Sequence, residues 1–145
     1  MPALKKSKII EGKFHKDERG ILCYFNEFDL TPIKRFYKIE SSNGQIIRAW
    51  RGHKREQKWF HVISGSFKIV LVQPDDWITP SDDLSYTEFN LNEGDRSVLH
   101  IPGGYASGIQ ATKPSSQLLI FSDFSVEESL NDNFEFDASK WYVWI

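Results

Sequence analysis

The sequence predicts an all-β chain folded as one antiparallel sandwich or barrel. Three observations carry this. Short runs of alternating apolar and polar residues recur along most of the chain. Turn-forming clusters of Gly, Pro, Asn, Asp and Ser separate them at regular spacing. No internal repeat, low-complexity block or linker interrupts the pattern, so residues 1–145 read as a single domain with a short flexible start and a mixed C-terminal tail.

In chain order, residues up to about Lys8 form the flexible start. Ile9 to Phe14 is a short strand, the polar turn Asp17-Glu18-Arg19-Gly20 closes it, and Ile21 to Phe25 returns as the second arm of a hairpin. Leu30-Thr31-Pro32 breaks the chain before the alternating strand Ile33 to Ile39. Ser41-Ser42-Asn43-Gly44 is a turn, since Asn-Gly suits positive φ. The stretch Ile46 to Leu71 then reads as strand, charged corner, strand, a tight turn at Ser64-Gly65-Ser66, and a third strand. It gathers three arginines, three lysines, two tryptophans and two histidines. Gln73 to Ser85, with Pro74, Pro80 and two Asp-Asp pairs, is a surface loop. Strands follow at Tyr86 to Leu91, Ser97 to Ile101 and Gln117 to Phe121. Pro102-Gly103-Gly104 bends the chain into Tyr105 to Gln110. The tail from Val126 carries one short helix and ends in the aromatic run Trp141-Tyr142-Val143-Trp144.

Composition narrows the function classes. A chain of 145 residues, 40% hydrophobic and 26% charged, can bury a sizeable core. Its net charge of −2 supplies no overall basic field to draw in nucleic acid or a membrane surface. No run approaches the eighteen or so apolar residues of a membrane span, and no signal-peptide core follows the basic start. The one cysteine, Cys23, excludes an internal disulfide and suits a reducing cytosol, so a soluble cytoplasmic protein is expected. Aromatic residues, 14% of the chain, fill β cores and interfaces and also stack on flat ligands.

Several short motifs occur together. Ile101-Pro102-Gly103-Gly104-Tyr105-Ala106 resembles the second characteristic motif of the cupins, and Asp17-Glu18-Arg19-Gly20 resembles the opening turn of one cupin branch. That branch holds the nucleotide-sugar 3,5-epimerases and the 3,4-ketoisomerases of deoxysugar biosynthesis. Arg48-Ala49-Trp50-Arg51-Gly52-His53-Lys54, then Gln57 and Ser64-Gly65-Ser66, is most similar to the ketoisomerase and WxcM-like pattern. The resemblance runs from about Ile9 to Asp123. It implies an antiparallel jelly roll and a homodimer that exchanges N-terminal strands; no cofactor is expected, because the usual cupin metal-ligand set of three histidines and one carboxylate is not assembled. It also implies a dTDP- or other nucleotide-linked keto sugar as ligand.

The chemistry it implies is proton transfer beside a ketone, which needs a base near neutral pKa and a cation or donor for the developing oxyanion. His53 resembles the second histidine of the ketoisomerase His-x-His pattern and is the candidate acid/base. Arg51 stands two residues earlier, on the same strand face, where the pattern has its first histidine. The resemblance makes that position catalytic, with Arg51 as an anion-binding replacement. Tyr105 is the candidate second proton carrier. Arg19 and Arg48 match positions that contact the diphosphate or the sugar, and a guanidinium suits phosphate. Lys58 sits where the epimerase branch carries a pocket lysine, although a one-residue slip would turn it away and present Gln57 and Trp59 instead. Trp50 is a candidate for stacking on the base, as are Trp59 and Tyr105. Ser107, in the place of a cupin histidine, joins the substrate-binding set. The epimerase tyrosine maps to Leu119, and His15, His61 and His100 lie at no ligand spacing with His53, so no metal site is expected. The expected activity is therefore isomerisation like that of the 3,4-ketoisomerases rather than 3,5-epimerisation. The alternative is a cupin that binds a sugar nucleotide or a partner protein without turnover.

Overall fold

A computed structural model describes residues 5–43 and 46–145. The expected start at residues 1–4 and Gly44 of the expected 41–44 turn lie outside the described residues. In chain order the elements are β1 (Lys8–Glu11), β2 (Lys13–Asp17), β3 (Gly20–Tyr24), β4 (Arg35–Glu40), β5 (Ile47–His53), β6 (Lys58–Ser64), β7 (Ser66–Val72) and β8 (Tyr86–Asn92). A 3-10 turn at Glu93–Asp95 leads to β9 (Ser97–Ile101), β10 (Tyr105–Ala111) and β11 (Gln117–Ser122), then α1 (Val126–Leu130) and β12 (Phe134–Glu135). No described helix is long and apolar enough to cross a membrane.

The strands form two five-stranded antiparallel sheets and a separate hairpin. One sheet runs β1-β9-β6-β11-β4, the other β12-β5-β10-β7-β8, and among the described residues β2 pairs only with β3. This is the jelly-roll arrangement the motifs implied, with consecutive strands distributed between the two layers. Phe60, Phe67, Ile69, Leu71, Leu99, Leu118 and Ile120 meet between the layers, each at most 1% exposed. Burying a side chain of this size contributes roughly 1.5–3 kcal/mol.

The alternation of β7 explains its nearly continuous apolar sequence. Phe67, Ile69 and Leu71 face the inter-sheet core, whereas Val70 and Val72 belong to a second cluster with Trp50, Ala106, Phe136, Trp141, Tyr142 and Trp144. Both faces of this strand are covered, one of them by the aromatic tail. The tail is locked there by Trp141 Nε1 donating to the Ser81 carbonyl (2.7 Å) and by Gln110 Nε2 donating to the Ile145 carbonyl (3.2 Å). Gly108 makes the fit: a Cβ at that position would sit 2.4 Å from the Trp144 ring.

Two expectations change in detail. The strand expected over Ile9 to Phe14 divides at Gly12, whose N–H donates to the Arg96 carbonyl at 2.7 Å. Its first half, β1, joins a sheet beside β9, and only the second half, β2, enters the hairpin, with Asp17 opposite Gly20. The tail carries its short helix, capped by Ser125 and Glu128, but also β12, which pairs with β5. Elsewhere the Ser64-Gly65-Ser66 turn joins β6 to β7 with Gly65 at φ +74°, a region that glycine enters without strain.

Candidate functional site

The charged corner between β5 and β6 opens into a cavity of about 830 Å³ between the two sheets. β4 contributes Arg35, Tyr37 and Lys38 to its wall, β5 contributes Arg48, Arg51 and His53, β6 Lys58 and Phe60, and β10 Ser107 and Ile109. α1, β12 and the turn between them close one side with Ser129, Leu130, Asn133 and Glu135. A second space of about 10 Å³, the size of one water, lies against it and is lined by His53, Glu56, Lys58, Tyr105 and Ser107.

His53 ends β5, and its side chain is 9% exposed. Its Nδ1–H donates to the Asp132 carbonyl at 2.7 Å. A carbonyl only accepts, so in the neutral ring the proton sits on Nδ1 and Nε2 keeps its lone pair. Burial pushes the His53 pKa below its ordinary 6.5, and the charge of Lys58 adds to that effect. The Asp132 carbonyl and the carboxylates of Glu56 and Asp132 pull it back only in part. A neutral imidazole with one nitrogen committed is the form a general base requires.

Lys58 settles the register left open by the sequence. It faces the cavity and donates to the Tyr37 hydroxyl at 2.6 Å. Trp59 turns to the other side of the sheet, where it stacks on His100 with ring centroids 4.6 Å apart. Gln57 stays in the corner, held by Asp123, which accepts from its backbone N–H at 2.7 Å and its side chain at 3.1 Å.

Arg51 stands at the mouth, opposite both Ser107 and Glu135 in the strand register. It pairs with Glu135 at 2.9 Å and donates to Asn133 Oδ1 at 3.1 Å. Arg48 lies on the rim between this cavity and a neighbouring one of about 160 Å³. Tyr105 sits directly across the strand pair from His53, but beside the small space rather than the large cavity. Its hydroxyl accepts from the Ser7 N–H at 3.1 Å.

Besides Trp59, which the stack on His100 takes away from the cavity, two candidates end up elsewhere. The Trp50 indole is 2% exposed and is taken up by the tail: its Nε1 donates to the Lys140 carbonyl at 2.9 Å, with Trp141 and Trp144 against its rings. Its backbone belongs to the cavity strand, yet the ring is not free to stack on a base. Arg19 is at the tip of the β2–β3 hairpin, its side chain 83% exposed and folded back on Asp17 at 2.7 Å. Within one chain the hairpin tip does not reach the cavity wall.

Sequence reasoning passed over four residues the structure brings in. Arg35 and Tyr37 share the inward face of β4, a periodicity visible in Arg35-Phe36-Tyr37-Lys38-Ile39. Glu56 has a fully buried side chain and accepts from Ser122 and Ser129 hydroxyls at 2.6 Å each and from Arg35 Nη2 at 3.2 Å. Burial raises its pKa, but those hydroxyls with the charges of Lys58 and His53 outweigh it and hold the carboxyl below its ordinary value. Asp132, 2% exposed, accepts the backbone N–H groups of Lys54, Arg55 and Glu56 at 2.8, 2.8 and 2.7 Å. No local signal marks either acid, because their partners are remote in sequence. Among the described residues no three His, Cys, Asp or Glu side chains converge as an ion-binding group.

No family model matches the chain, and no curated protein matches it by sequence. Solved structures do match it in shape. The rmlC epimerase of Mycobacterium tuberculosis aligns with a TM-score of 0.74 at 18% identity, over 92% of this chain and 70% of that one. A mutant of the 3,4-ketoisomerase QdtA from Thermoanaerobacterium thermosaccharolyticum, in complex with TDP-4-keto-6-deoxyglucose, aligns at 0.69 and 23% identity over 91% and 88%. The WlaRB TDP-quinovose 3,4-ketoisomerase from Campylobacter jejuni aligns at 0.66 and 20% over 94% and 92%. The chain thus has the antiparallel cupin jelly-roll fold shared by these nucleotide-sugar epimerases and 3,4-ketoisomerases.

Proposed function

We propose that the chain is an isomerase that binds a nucleotide-linked 4-keto-6-deoxysugar and moves a proton beside its ketone, in the manner of the 3,4-ketoisomerases. One observation carries the reading: a buried neutral His53, its Nδ1 committed to Asp132, shares one cavity with the cations Arg35, Arg48, Arg51 and Lys58. A diphosphate is a dianionic group, and guanidinium groups on the rim are suited to it. Inside, His53 Nε2 takes the proton from the carbon next to the ketone. Lys58 and the Tyr37 hydroxyl it contacts supply positive charge and a donor where the enediolate oxygen develops. In this reading Tyr105, which lies across from His53 and lines the same water-sized space, is the second proton carrier. The ligands of the structural neighbours, among them TDP and TDP-4-keto-6-deoxyglucose, belong to the same class.

The decisive experiment is incubation with dTDP-4-keto-6-deoxyglucose in deuterium oxide, followed by proton NMR. A new keto sugar, or loss of the proton signal beside the ketone, is the expected result. No exchange with any keto sugar nucleotide at high protein concentration overturns the proposal. A second reading, binding without turnover, draws on Arg51: it occupies the place of the pattern's first histidine and is tied to Glu135 and Asn133 at the mouth. That reading gains if the nucleotide sugar raises the melting temperature while no exchange occurs.

A further inference from the structure

The cavity's working groups lie over a carboxylate that the proposed chemistry does not itself use. Glu56 occupies the corner between β5 and β6, and its side chain has no exposed surface. Each of its oxygens carries one serine hydroxyl: Ser129 donates to Oε1 and Ser122 to Oε2, both at 2.6 Å. Oε1 also lies 3.4 Å from His53 Nδ1, while Oε2 lies 3.2 Å from Arg35 Nη2 and 3.7 Å from Lys58 Nζ. An isolated buried carboxylate is costly, so its retention here calls for compensation, and two cations with two hydroxyls supply it.

The geometry points to Glu56 as the positioning residue of this site: a buried counter-ion that fixes His53, Lys58 and Arg35 relative to one another and balances the charge against which His53 works. This rests on the isomerase reading above. The structural reason is that β4, β5, β6, β11 and α1 all send a polar side chain to this one group. The groups facing His53 or Glu56 are Arg35 and Tyr37 from β4, Lys58 from β6, Tyr105 from β10, Asp123 after β11, and Asp132 after α1. With Lys58 alone beside it, the imidazole would face an uncompensated cation. With Glu56 in place the pair is nearly neutral, so proton uptake by His53 is less strongly opposed. Two serine donors fix the carboxylate from opposite sides, which leaves it little freedom to swing towards a ligand.

The test compares Glu56→Gln, which keeps the shape and removes the charge, with Lys58→Gln. The His53 imidazole is titrated by NMR in each intact protein, and exchange kinetics are measured with dTDP-4-keto-6-deoxyglucose. The His53 midpoint is expected to fall in Glu56→Gln and to rise in Lys58→Gln, by about half a pH unit or more in each. The exchange rate at saturation should fall at least about tenfold in Glu56→Gln with KM changed by less than about threefold, because the carboxylate touches no substrate. If Glu56→Gln does not fold, Glu56→Asp takes its place, keeping the charge but withdrawing it; the midpoint then falls by a smaller amount. An unmoved His53 midpoint in the folded variant overturns the assignment, and so does loss confined to KM. If the unmodified protein exchanges no proton with any keto sugar nucleotide, the isomerase reading fails. The titration still decides whether Glu56 acts on His53.

Discussion

Replacing Asp132 with alanine would remove the clamp on the charged corner. Its carboxylate receives three backbone N–H groups, from Lys54, Arg55 and Glu56, at 2.8, 2.8 and 2.7 Å. The Glu56 N–H is buried and would be left without an acceptor, which costs about 1–3 kcal/mol. The Lys54 and Arg55 N–H groups are only partly buried and can turn to water, so each loses about 0.5–1 kcal/mol. The expected loss is roughly 3 kcal/mol, or about 10 °C in melting temperature for a domain of this size. Asp132→Asn keeps one acceptor oxygen and should fall roughly midway. Urea unfolding followed by circular dichroism measures both. A loss below about 1 kcal/mol in Asp132→Ala, with an unchanged m-value, would refute the view that these three bonds hold the corner.

Gly108→Ala places a Cβ 2.4 Å from the Trp144 ring and should cost about 1–3 kcal/mol, with tail tryptophan fluorescence shifted to the red; an unshifted spectrum would mean that Trp144 does not sit there. His100 is held neutral down to about 4, first by burial and then by the nearby charges of Lys8 and Lys5. Since the unfolded chain binds this proton near 6.5, stability should drop as pH falls from 6.5 to 4, by up to about 1.4 kcal/mol per unit. His100→Gln should flatten that slope in urea titrations at pH 7 and 5, and an identical slope would contradict the assignment. Arg48→Ala should weaken dTDP binding by at least about tenfold in calorimetry while leaving the melting temperature within a degree or two, because this arginine serves the rim rather than the core.

The sheet strands were legible because alternation and turn chemistry are local: the run Phe67 to Leu71 within Ser66–Val72, and Ser97–Ile101, follow from their own residues. The wall of the site was legible where a motif ran along one strand, as for Arg48, Arg51 and His53. The orientation of Trp50 was not, since a tryptophan in a strand fits either face and only the distant tail decides which one is dry. Lys58 shows the same limit from the other side, its facing set by the length of the corner before it. Glu56 and Asp132 were invisible for a related reason. Ser122 and Ser129 lie 66 and 73 residues from Glu56, and Asp132 lies 76 to 78 residues from the N–H groups it holds. Glu56 inside a charged run and Asp132 between two asparagines both read as solvated until those partners are known.

The same separations give the site an order of assembly in time. During synthesis the corner leaves the ribosome long before Asp123, Ser129 and Asp132, and its four N–H groups, from Lys54 to Gln57, lack these acceptors until that later segment docks. Closing a loop of nearly eighty residues carries an entropic cost that local strand pairing does not, and contacts of this range form slowly. A nascent chain can therefore pair β5 with β10 while the corner beside it is still unset, since β12 arrives only after Asp132. Competence to bind would then arrive with the segment that follows β11 rather than with the strands that bear the motif.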